Sequence, residues 1–200
     1  MPCTGAASIL ASMEMSVADR LDRRAWLEAG LELLAEEGVD AVRVTDLAAR
    51  LHVTKGSFYW HFRDRADFLD ALLETWGATR TDAIIAAVDA KGGEAKTRLR
   101  TLFLKSFNSD GRLFLAIQGW ARRDDRVQAA LNRVVRRRIV YVEQLFLDFG
   151  FRPSEAAARA EFAFQALIGH YALGAASMFA GKDKRRRFEI IFGLLTRAPA

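Results

Sequence analysis

The chain has 200 residues, 51% of them hydrophobic and 28% charged, with a formal net charge of +5. That is enough for one large domain or two small ones around a buried core, and only three prolines argue against a turn-rich β-sandwich. The single cysteine, Cys3, excludes an intrachain disulfide and points to a reducing, cytoplasmic setting. Residues 1–12 lack the basic start of a signal peptide, and no apolar run approaches the length of a membrane span, so no membrane partner is expected.

Residues 1–18 are small and polar and read as a flexible arm, with Met13 and Met15 as alternative starts. A helix is expected over Asp19–Glu37, because Trp26, Gly30, Leu33 and Leu34 share one face of a 3.6-residue repeat. Gly38 is its expected C-cap, and 39–44 a short connector. Thr45 is read as the N-cap of a helix over Asp46–Leu51, with Leu47, Ala48 and Leu51 as its apolar side. A tight turn at His52 and Val53 follows, then a short helix from Thr54 to about His61 with Phe58 and Phe62 turned inward. Two short helices in series, packed on a longer one, make a helix-turn-helix unit.

Charge is segregated across this stretch. Asp19–Asp40 is mostly acidic, whereas Arg43–Arg65 holds Arg43, Arg50, Lys55, Arg63 and Arg65 against only Asp46 and Asp64. A local basic face therefore stands where a DNA contact needs one. From Asp64 onward the pattern is helical throughout. The expected helices are Asp64–Ala90, Glu94–Asn108, Arg112–Ala121, Asp125–Phe149, Ser154–Phe179 and Lys184–Arg197, with Ser154 as a cap.

The stretch Val42–Leu72, and above all Val53-Thr54-Lys55-Gly56-Ser57-Phe58-Tyr59-Trp60-His61-Phe62, resembles the DNA-binding region of the TetR/AcrR (tetracycline-repressor-like) family. The resemblance covers about Arg24–Leu73. It implies an all-α protein with a three-helix helix-turn-helix DNA-binding domain at 19–65 and a larger helical ligand-binding and dimerisation domain at 66–200. Two positions depart from the family's usual pattern: His52 stands where such turns commonly hold glycine, and Arg65 where a lysine is usual. Histidine tolerates left-handed backbone better than most residues, so the turn is expected to survive.

The expected chemistry has two parts, because phosphate contacts position a protein on DNA and base-edge contacts specify sequence. Thr45, at a helix start, is a natural phosphate ligand. The resemblance implies the same role for Tyr59, His61 and Arg65, with Arg43 reaching the backbone or minor groove. Thr54, Lys55, Gly56 and Ser57 open the recognition helix, whose first residues meet base edges in the major groove. Lys55 suits guanine O6 or N7, Gly56 permits close approach, and Trp60 suits a sugar or thymine methyl. Burial against the first helix is the alternative for Tyr59 and Trp60, and a capping or core role for His61.

For the larger domain the resemblance implies an internal pocket for an unidentified small-molecule effector. Its candidate lining is Trp76, Phe103, Phe107, Phe114, Gln118, Trp120, Tyr141, Phe162, Gln165 and His170, with simple packing as the alternative for each. The resemblance also implies a homodimer through Ser154–Ala180 and Lys184–Arg197. A two-fold dimer presents its recognition helices about 34–36 Å apart, which suits a palindromic double-stranded operator. The basic clusters Arg133, Arg136, Arg137, Arg138 and Lys182, Lys184–Arg187 read as solvated faces. The expected function is a ligand-responsive repressor, with an activator or corepressor-dependent regulator built from the same parts as the alternative. A helical enzyme is disfavoured: the sequence has no HExxH, ExxH, clustered cysteines or phosphate-binding glycine loop, so no catalytic residue, metal or cofactor is expected.

Overall fold

The computed structural model describes residues 22–174 and 181–197, and every regular element among them is helical. The arm at 1–18 with Cys3, Met13 and Met15, the first residues of the expected opening helix, and 175–180 of the expected dimer segment lie outside the described residues. The chain divides into two compact units, 1–75 and 76–200.

The first unit opens with α1 (Arg23–Glu37), capped by Asp22, whose carboxylate accepts the Arg24 N–H at 3.2 Å. Gly38 closes it, donating to the Leu34 carbonyl at 3.0 Å. A 3-10 turn (Val39–Ala41) leads into α2 (Val44–Arg50), α3 (Lys55–Tyr59) and α4 (Arg65–Gly77). Thr45 lies inside α2 rather than at its cap, which is Arg43, and its hydroxyl donates to the Asp46 carboxylate at 2.9 Å. The core is built on Trp26, Leu34, Leu47, Phe58, Phe62, Phe68 and Leu72, none more than 2% exposed. Phe58 stands at its centre, with ring centroids 5.4 Å from Trp26, 5.1 Å from Phe62 and 5.4 Å from Phe68. A Cβ on Gly30 would lie 2.6 Å from Phe68 Cζ, so α4 seats directly on α1 there. Because Phe68 and Leu72 belong to this core, packing carries the first unit past Arg65 to Thr75.

The start of α4 is fastened by a reciprocal cap. The Asp64 carboxylate accepts the Asp67 N–H at 2.8 Å, and the Asp67 carboxylate accepts the Arg63 N–H at 3.0 Å. That backbone hydrogen bond from Arg63, seconded by the Arg63 guanidinium, holds the Asp67 carboxyl below the usual carboxylate range. Asp64→Ala is therefore expected to lower the stability of the first unit by about 0.5–2 kcal/mol. A urea midpoint unchanged from wild type would show that the cap contributes nothing.

The second unit holds a π-helical turn (Ala78–Asp82), α5 (Ala83–Lys91), α6 (Ala95–Phe107), α7 (Arg112–Ala121), α8 (Asp125–Asp148), α9 (Pro153–Leu173) and α10 (Lys184–Leu195). The single long helix expected over Asp64–Ala90 is thus interrupted by the π turn, which carries Thr81 to 3% exposure. Ser154 is not a cap: Pro153 takes the first position of α9, where its missing N–H costs nothing, and Arg152 precedes it. One core joins Val88, Leu99, Phe103, Leu145, Phe146, Phe151, Phe188 and Phe192 with Ala156, Ala160 and Ala163. These α9 alanines therefore serve packing within the chain.

Candidate nucleic-acid interface and effector unit

The turn between α2 and α3 is tight. The Val53 N–H donates to the Ala48 carbonyl at 3.0 Å, and His52 takes φ +55°, the one positive value among the described non-glycine residues. The departure at position 52 is accommodated as the chemistry of histidine allows. Thr54 stands at the cap of α3 in extended conformation, without a side-chain capping bond, and is exposed.

Successive residues of a helix are turned by about 100°, which divides α3 into two arcs. Lys55, Gly56, Tyr59 and Trp60 fall on the outward arc, and Ser57 and Phe58 on the inward one. Exposure follows this division: Tyr59 is 60% and Trp60 87% exposed, Lys55 and Gly56 are exposed, and Ser57 and Phe58 are buried. The alternative of Tyr59 and Trp60 packing on the first helix is thereby removed. Ser57 corrects the sequence expectation. At 3% exposure it faces the interior and cannot meet a base edge, because it shares the arc of Phe58. His61 is half-buried beside Phe62.

The basic stretch is less available than its sequence suggests. Arg50 donates to Glu36 at 2.7 Å and to Glu32 at 3.4 Å, tying α2 to α1. Arg63 pairs with Asp67 at 3.2 Å. Arg65 turns its Nε to the Val42 carbonyl and its Nη2 to the Val39 carbonyl, each at 2.6 Å, and so clamps the connector. Arg43 is exposed and donates through Nε to the Asp40 carbonyl at 3.1 Å. Lys55 has no ion-pair partner among the described residues. The Arg65 clamp left no mark in the sequence, whereas the acidic Glu32–Glu36 pair on α1 was a legible signal for Arg50.

In the second unit the candidate effector residues separate into groups. Phe103 is buried in the main core, with its ring 6.4 Å from Phe107, and the Phe107 carbonyl accepts from His170 Nε2 at 3.0 Å. Trp76 and Phe114 pair at 6.3 Å, and Phe114 touches Tyr171, also at 6.3 Å. Trp120 is buried and Gln118 half-buried on α7. Tyr141 donates to Asp89 at 2.7 Å, and burial, then that carboxylate, push its phenol well above the ordinary range. Phe162, 58% exposed, and Gln165, also exposed, lie on the outer face of α9 and line no interior of the single chain, which corrects their assignment. A shallow groove of about 320 Å³ between Lys96, Thr97, Arg100, Glu189, Phe192, Gly193 and Thr196 includes none of the candidates.

Arg138 is also corrected. Read from the sequence as part of a solvated basic face, it turns inward toward Thr81, Trp76 and Phe114. Its neighbour Arg137 does pair at the surface, with Asp82. Among the described residues no group of three His, Cys, Asp or Glu side chains is placed to hold a metal ion, and no helix is long and apolar enough to cross a membrane.

The short helix pair with its outward aromatic arc, seated on α1 and α4, is a helix-turn-helix. Residues 27–72 match the family model for bacterial regulatory proteins of the tetR family. Over 55 residues the chain is 46% identical to tetracycline repressor protein class G of Vibrio anguillarum, covering 28% of this chain and 26% of that protein. The match thus spans between about a quarter and two fifths of the length of the curated relatives. The fold likeness extends further. The crystal structure of E. coli NemR in its reduced form covers 89% of this chain and 99% of its own, with a TM-score of 0.72 at 19% identity. That of AibR in complex with isovaleryl coenzyme A and operator DNA covers 87% of this chain and 97% of its own, with a TM-score of 0.63 at 15% identity. At these identities the likeness shows the all-helical architecture of both units.

Proposed function

We propose that this protein is a sequence-specific DNA-binding transcriptional regulator that represses from a palindromic operator as a homodimer and is released by a small-molecule effector. The observation that carries the reading is the outward arc of α3. Tyr59 at 60% and Trp60 at 87% exposure are large aromatic side chains that a folded unit has no reason to leave in water unless they meet a partner. With Lys55 and Gly56 beside them they form one contiguous strip suited to a major groove. Thr54 and Thr45 flank it with exposed hydroxyls, Arg43 adds charge, and His61 borders it. Arg65 keeps Nη1 for a phosphate while its other nitrogens hold the connector.

The homodimer reading draws on a second strip. On α9, Phe162, Gly169 and Leu173 stand at i, i+7 and i+11, and on α10, Ile190 and Leu194 at i and i+4. Phe162, Leu173, Ile190 and Leu194 are each 55–60% exposed, and a Cβ on Gly169 or Gly193 would meet nothing within 4 Å. Two such helices from each of two copies form a four-helix bundle that covers these side chains. The same reading makes the protein cytoplasmic and non-enzymatic.

The test is selection of bound DNA from a random pool by the purified protein at near-physiological salt. Enrichment of one palindrome is the expected result, and recovery of unselected sequence would overturn the reading. On the selected operator, Lys55→Ala and Tyr59→Ala are each expected to weaken binding about 5- to 150-fold, or about 1–3 kcal/mol, with folding and dimerisation intact. Unchanged affinity in both variants would remove α3 as the reading element.

A further inference from the structure

Among the described residues Arg138 is a cation without a counter-ion. Its Nε donates to the Thr81 hydroxyl at 3.0 Å and its Nη2 to the Arg80 carbonyl at 3.2 Å, both in the π turn. Its guanidinium carbon lies 5.5 Å from the Trp76 ring centroid and 5.6 Å from that of Phe114. No carboxylate among the described residues pairs with it. Asp82, in the same turn, is taken by Arg137, and Asp110, at the head of α7, by Arg112. Two neutral hydrogen bonds and two ring faces offset only part of the cost of taking a guanidinium out of water. Desolvation accordingly pulls Arg138 below the ordinary arginine value, the only such downward shift resolved for an arginine of the described chain. Nη1 is left without a partner among the described residues. A π-helical turn is a rare local geometry that occurs frequently at functional sites, and here it supplies both partners that aim the guanidinium.

We propose that Arg138 anchors an anionic effector, a small organic carboxylate whose apolar or aromatic body lies against Trp76 and Phe114. This deepens the effector reading given above and rests on it. The carboxylate accepts from Nη1 in a single charge-assisted bond, while Nε and Nη2 stay on the π turn and hold the guanidinium in place. The hydroxyls of Ser109 and Tyr171, 2.7 Å apart, border the Phe114 side and add neutral polar contacts. Binding then supplies the counter-charge that the folded chain lacks, so affinity is concentrated on the anionic form of the ligand.

The test uses the full chain in thermal-shift and calorimetric titrations against benzoate, phenylacetate, butyrate and hexanoate. Each is compared with its primary amide, with sodium chloride matched throughout and inorganic phosphate as a separate arm. At least one carboxylate is expected to raise Tm and to bind at least about tenfold more tightly than its amide. Arg138→Met, which keeps the stem and removes the charge, is expected to weaken that carboxylate between about 10- and 150-fold while melting no lower than wild type in buffer. Arg138→Lys keeps the charge without the donors by which the π turn aims it and is expected to fall between the two, which covers the case of a poorly folding Met variant. If amides bind as well as carboxylates, the anion assignment fails and the effector unit stands. If neither class shifts the wild type, the proposal fails outright. A response to phosphate alone overturns the carboxylate class. A Met variant that melts lower yet keeps the carboxylate shift makes Arg138 a strut for the π turn and overturns the proposal.

Discussion

Phe58→Ala is expected to destabilise the first unit by about 3–5 kcal/mol. Phe58 is fully buried and makes edge or tilted ring contacts with Trp26, Phe62 and Phe68, which come from three different segments. Truncation removes the apolar area and leaves a cavity at the one point where α1, α3 and α4 meet. A unit of this size holds only a few kcal/mol in all, so the variant is expected to lose most of its cooperative folding and all operator binding. The check is thermal and urea unfolding followed by far-UV circular dichroism. A variant that unfolds within about 1 kcal/mol of wild type would show that the aromatic centre does not hold α3 in place. The contrast with Tyr59→Ala is the sharper test. Adjacent residues of one short helix are expected to separate cleanly, one acting on stability and the other on DNA affinity.

Gly111→Ala is expected to cost the second unit about 2–5 kcal/mol, from left-handed backbone strain and overpacking together. Gly111 caps α7 at φ +68°, and a Cβ built there would stand 2.1 Å from Tyr171 Cγ and 2.6 Å from its Cβ. Neither neighbour is the free end of a flexible chain, so α9 would have to move. Tyr171 is held by its hydroxyl, which donates to the Ser106 carbonyl at 3.1 Å and meets Ser109 Oγ at 2.7 Å. Displacing it is therefore expected to change the near-ultraviolet aromatic signal and to lower Tm by several degrees. A variant with wild-type Tm and aromatic signal would show that α7 and α9 do not meet in this way.

Much of the fold was legible in the sequence. Among the described residues every α-helix overlaps an expected one, α4 and α5 both the single helix expected over Asp64–Ala90, and α7 was bounded at Arg112–Ala121. Periodicity also turned Phe58 and Phe62 inward. What failed were local assignments that depend on the neighbouring segment. Thr45 and Ser154 are good capping residues, yet each lies one residue inside its helix, because Arg43 and Arg152 already take the extended cap conformation. The π turn was invisible, since one extra residue within a helical run does not disturb a hydrophobic pattern enough to be seen.

The candidate sites divide in the same way. Lys55, Gly56, Tyr59 and Trp60 were named from residue type, position in the short helix and the family resemblance, and the structure leaves all four exposed. Ser57 faces the interior because the helical period puts it on the arc of Phe58. Arg50, Arg63 and Arg65 were counted as available charge, but Arg50 and Arg63 are in ion pairs and two of the three guanidinium nitrogens of Arg65 are on backbone carbonyls. Arg138 was misplaced most, because a cluster of four basic residues on one helix says nothing of which one turns inward. The sequence by itself determined the helical class, from period along single segments, and pointed to the helix-turn-helix through the family resemblance, while the exposure of Tyr59 and Trp60 came from the structure. Only the tertiary structure decided which cations are spent, that Gly111 makes room for Tyr171, and that Arg138 stands uncompensated among aromatic rings. These depend on which side chains meet across segments far apart in sequence, and no local pattern encodes that.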